Sequence, residues 1–90
     1  MDYEYQGLPI KGITEKAYRE MAQFGLSLMD VEKTLQEGVD CPGVKRRKAI
    51  VERCIRKDRK VLKVVVEKMV SWRGYPYWRV RHVGLAGGKL

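Results

Sequence analysis

Apolar and polar positions alternate most clearly over residues 60–70, read KVLKVVVEKMV. Leu62, Val64, Val66 and Val70 share one side, broken only by Lys68, while Val61, Lys63, Val65, Glu67 and Met69 share the other. β-Branched side chains fit a pleated surface, so this stretch predicts a central strand with one apolar and one mixed face. Earlier in the chain the period is helical. Thr14 can cap a helix over Glu15–Phe24 whose Ala17, Met21 and Phe24 fall on one face, with Gly25 as its stop. Ser27 and Asp30 have capping-box spacing, opening a second helix with Leu28, Val31 and Leu35 as its stripe and Gly38 as its end.

Residues 45–57 fit two periods. Ile50, Val51, Cys54 and Ile55 have helical spacing, yet Ala49, Val51, Arg53 and Ile55 also alternate with Ile50, Glu52, Cys54 and Arg56 as in a two-sided strand. The strand reading leads directly into a tight hairpin at residues 57–60. Residues 71–76 read as a turn, and 77–83 alternate again, with Trp78 and Val80 opposite Tyr77, Arg79 and Arg81. The pattern therefore predicts one α+β domain across residues 1–90. It has an unstructured arm at 1–12, a two-helix hairpin at 13–38, a three- or four-stranded antiparallel sheet at 45–83 and a flexible glycine-rich tail at 84–90.

Charge changes this picture. The net charge is +8, and it is unevenly placed: residues 1–40 hold four bases against eight acids, and the excess follows residue 44. A one-sided basic field favours polyanions, nucleic acid before an anionic membrane surface, although plain solubility also explains such a balance. The basic cluster is Lys45, Arg46, Arg47, Lys48, Arg53, Arg56, Lys57, Arg59, Lys60 and Lys63, continued by Arg73, Arg79 and Arg81 beside Trp72, Tyr75, Tyr77 and Trp78. Guanidinium groups neutralise phosphates and aromatic rings stack on bases, which suits single-stranded RNA. Trp78 reads equally as core packing. His82 is the one side chain titrating near neutrality, a candidate proton carrier or a half-buried structural residue.

Other classes are poorly supported. No phosphate-binding glycine loop, paired acids or metal-ligand spacing occurs, so no metal or cofactor is expected. Cys41 and Cys54 lack redox-motif spacing and read as reduced thiols, with Cys54 packed as a small hydrophobe. Residues 1–10 do not resemble a signal peptide, and apolar runs fall short of the ~18 residues a span needs, which predicts a cytoplasmic protein. A helix-turn-helix reading places Leu28–Glu37 against DNA, but that helix has one base, Lys33, and three acids. A basic sheet could instead dock an acidic protein. Nothing in the pattern sets an oligomeric state.

The order helix–helix–three strands, with Ala17, Met21, Gly25-Leu26-Ser27, Asp30-Val31, Leu35 and Gly38 followed by residues 59–66, resembles small domains grouped with the BrnT and RelE/ParE ribonuclease toxins. The resemblance covers residues 13–83. It implies an RNA-directed, toxin-like fold, an acidic antitoxin-like partner and metal-free cleavage in which the RNA's own 2′-OH attacks the phosphate. Tyr77, Arg79, Arg81 and His82 are the side chains available for those roles. The family's first-helix His and Arg correspond to Lys16 and Glu20 here, so their roles do not carry over.

Overall fold

The computed structural model describes residues 2–43 and 47–88. The elements in chain order are β1 (Glu4–Tyr5), β2 (Leu8–Ile13), α1 (Glu15–Phe24), α2 (Leu28–Glu37), β3 (Val39–Asp40), β4 (Ile50–Lys57), β5 (Lys60–Val70) and β6 (Pro76–Gly87). Both helices match the expected bounds. Thr14 accepts a bond from the Ala17 N–H, and Gly25 closes α1 in the left-handed region. Ser27 and Asp30 form the reciprocal capping box. Partial burial acts to raise the Asp30 carboxyl. The Ser27 N–H, the Lys57 charge and the Ser27 hydroxyl outweigh it and hold the group below its ordinary value.

The sheet differs from expectation. It is one mixed, curled half-barrel of six strands in the order β1-β2-β6-β5-β4-β3, not a three- or four-stranded antiparallel sheet under a helical hairpin. The expected arm at 1–12 supplies two of the strands. Gln6 and Gly7 both take positive φ and make a two-residue turn between β1 and β2. β2 then runs parallel to β6, pairing Ile10 with Trp78 and Ile13 with Val80. Burial of Tyr5 and Ile10 against the core supplies the driving force that a polar-looking arm conceals. The expected tail is also strand as far as Gly87, because β5 extends to Lys60 and offers backbone partners to Gly84, Leu85, Ala86 and Gly87.

The ambiguous stretch is a strand from Ile50 onward; residues 44–46 lie outside the described part of the chain. Gly38 carries the join between α2 and β4. A Cβ there would lie 2.4 Å from the Thr34 carbonyl oxygen and 2.5 Å from that of Cys54. Cys41 and Cys54 form a disulfide, which corrects the reading of two reduced thiols. The correction has a topological cause: β3 returns antiparallel onto β4, pairing Val39 with Cys54, and brings the two Cα atoms to 5.1 Å. The core lies between the helices and one sheet face, where Ala17, Met21, Val31 and Leu35 meet Leu62, Val64, Val66, Val80 and Val83.

Candidate functional site

The register of β4, β5 and β6 builds the other face. In antiparallel pairs, partners point to the same side, so Glu52 opposite Val65, Cys54 opposite Lys63, Arg79 opposite Glu67 and His82 opposite Val65 share the surface away from the helices. A register shift at Val65/Val66 inserts one extra β6 residue, Arg81, whose guanidinium comes within 3.6 Å of Glu67. Glu67 also holds Arg79 at 2.8 Å, and Lys63 lies 3.1 Å from Glu52. All of these groups remain partly exposed, and ion pairs at such positions are worth ~0–1 kcal/mol. An incoming phosphate can therefore compete for the guanidinium groups.

His82 is fixed from the edge of the sheet. Beyond β2, the first turn of α1 lies along β6: the Thr14 N–H donates to the Val80 carbonyl at 3.0 Å, and its hydroxyl donates to that of Arg81 at 3.3 Å. One turn on, Glu20 accepts the Val83 N–H through Oε1 at 3.3 Å. Its Oε2 lies 2.8 Å from His82 Nδ1, an ion-pair distance without hydrogen-bond alignment. The ring lies back over Gly84, where an added Cβ would meet Nε2 at 3.1 Å. Thr14, Lys16, Arg47, Glu52, Arg81 and His82 line a shallow depression of about 410 Å³. A second depression on the other side of His82 is bordered by Lys63, Gly84 and the disulfide.

The expected site residues divide into two groups. Arg79, Arg81, His82 and Lys63 come together on the open face, with Tyr77 further along β6 opposite Met69. Arg47, just before β4, lines the same depression as Arg81 and His82. The others stand apart. Arg53 belongs to the helix-facing side, bonding Asp40 at 3.1 Å and the Gly38 carbonyl, and so clamps the α2–β4 join. Arg56 reaches the Gly88 carbonyl, Arg59 occupies the β4–β5 turn and Arg73 stacks on Trp72 at the β5–β6 tip. Trp78 is a core residue, 4% exposed, with its indole N–H donating to the Tyr5 carbonyl at 2.9 Å; its ring offers no stacking surface. Arg46 lies outside the described residues.

Sequence reasoning missed Glu20, Glu52 and Glu67, the carboxylates that orient the basic groups. Glu20 carried a signal. It is three residues after Ala17 and next to Met21, hence at the margin of the buried stripe. Among the described residues, no three of His, Cys, Asp or Glu gather closely enough to hold a metal ion. No helix among them is long and apolar enough to cross a membrane. No protein-family model, curated protein or solved structure matches the chain.

Proposed function

We propose that this domain binds RNA along the open face of its sheet. The observation carrying the reading is the gathering of Arg79, Arg81, His82 and Lys63 on one partly exposed surface, in a chain that contains no acid from residue 68 to residue 88. The +8 field draws a polyanion in, and the exposed guanidinium groups exchange carboxylate for phosphate at little cost. Binding of single-stranded RNA should weaken steeply with salt. Replacing both Arg79 and Arg81 with Ala should reduce the log–log slope by about 1.4, near 0.7 per phosphate contact. Glu67→Gln should tighten binding by releasing the same two groups. Absence of salt-dependent binding to any RNA sinks the proposal.

One contact favours a second reading, metal-independent cleavage: Glu20 against His82 Nδ1. On this route the 2′-OH loses its proton to His82 Nε2 and attacks the adjacent phosphorus. The bond to the 5′ oxygen then breaks, leaving a 2′,3′-cyclic phosphate and a 5′-OH. Glu20, 2.8 Å from Nδ1, stabilises the imidazolium that forms, Arg81 stabilises the charge on the phosphorane and the proton returns to the leaving oxygen. All the charge stabilisation comes from side chains, so cleavage should continue in EDTA and fail on RNA with 2′-deoxy at the cut. His82→Gln should slow it by ~10²–10⁴. An undiminished rate in that variant removes His82 from the chemistry.

A further inference from the structure

The tip of the β5–β6 hairpin is built unlike the rest of the surface. The β4 pairing ends at Glu67 and that of β2 at Trp78, so residues 69–77 project beyond the flanking strands. The projection is internally closed. Ser71 and Tyr75 exchange bonds through Ser71 N to Tyr75 O at 2.9 Å and Tyr75 N to Ser71 Oγ at 3.1 Å, and Gly74 N donates to Ser71 O at 2.8 Å. Trp72 is nevertheless 88% exposed, Tyr75 68% and Val70 65%. Arg73 covers one side of the Trp72 ring at 4.7 Å. At that exposure the other side of the indole faces solvent.

We infer that this tip is a stacking platform for an unpaired RNA base, taken on the open side of the exposed Trp72 ring and anchored at its phosphate by Arg73. The inference rests on the RNA reading above and adds to it a selectivity for single strands, because a base paired within a duplex cannot present its face to the ring. Charge favours this occupant. The tip continues without an acid along β6 to Arg79 and Arg81, giving a strand of RNA a cationic path from its stacked base to the open face.

Four ligands test the inference: single-stranded RNA, the same strand with abasic sites, a duplex, and vesicles containing phosphatidylserine. Trp72→Ala should weaken single-strand binding by about tenfold and leave duplex binding and the salt slope unchanged, while Trp72→Phe restores most of the loss. Wild-type tryptophan fluorescence should quench with the intact strand and not with the abasic one; Trp78, being buried, serves as the internal standard and reports the fold. Salt-dependent RNA binding that Trp72→Ala leaves unchanged overturns the platform and spares the RNA reading. No binding to any RNA overturns both. A blue shift on vesicles without a response to RNA makes the tip a membrane contact instead.

Discussion

Two sets of side chains alternate along β5 and meet different worlds. Leu62, Val64 and Val66 are sealed under the helices, whereas Lys63, Val65 and Glu67, one residue away each, remain half-open beside Arg79, Arg81 and His82. Period-two geometry makes the two faces nearly independent: a strand can be tuned for stability on one side and for ligands on the other. The covered face is held by apolar burial, which is strong and without preferred direction. The open face is held by paired charges, weak individually and exchangeable with an outside partner.

That division can be broken directly. Leu62→Ala should cost ~2–5 kcal/mol in denaturant unfolding, since it empties a fully enclosed position, and Val65→Ala much less. Equal losses would mean that the open face also supports the fold. Reducing the Cys41–Cys54 bond probes the apolar staple on the open side. A closed loop of this length contributes about 3 kcal/mol, so reducing agent should lower the unfolding midpoint accordingly without removing the core. Ser27→Ala should cost about 1 kcal/mol through the lost cap. Asp30, the other half of that capping box, adds a pH dependence. Its carboxyl is lowered in the folded state, so its contribution is complete above the ordinary aspartate pKa of about 3.9 and is lost as pH falls through the lowered value. Asp30→Asn should flatten that acid limb in a pH series of thermal unfolding.

The helices and the central strands were legible because caps and periodicity are local. Thr14, Ser27 and Asp30 announce their roles within one turn, and Leu62, Val64 and Val66 within one strand. The misread parts depend on partners far along the chain. β2 has no alternation of its own and becomes a strand because β6 offers it an edge; Cys41 meets Cys54 because β3 folds back. At the site, Arg79 and Arg81 could be named from the alternation after residue 76, whereas the same alternation puts His82 on the Trp78 side and only the bulge at Arg81 turns it to the open face. Their carboxylate partners could not be named, since Glu20 reaches His82 across 62 positions and Glu67 gains its second guanidinium from a bulge. The sequence set Trp72 in a turn and left Trp78, on the Val80 side of a strand, as either a base-stacking ring or a core residue. Only the register tells the exposed ring from the buried one.

The parallel pairing of β2 with β6 has a consequence for biosynthesis. Tyr5 and Trp78, 73 positions apart, share a buried hydrogen bond, so the first strands have no place to dock until β6 has left the ribosome. Until then Tyr5 and Ile10 stay in water while both helices and the β4–β5 hairpin are already available to form. Closure of so long a loop delays the final step of folding. During that interval the growing chain exposes an unpaired edge and two apolar side chains, and it is then that a nascent-chain chaperone would find something to hold.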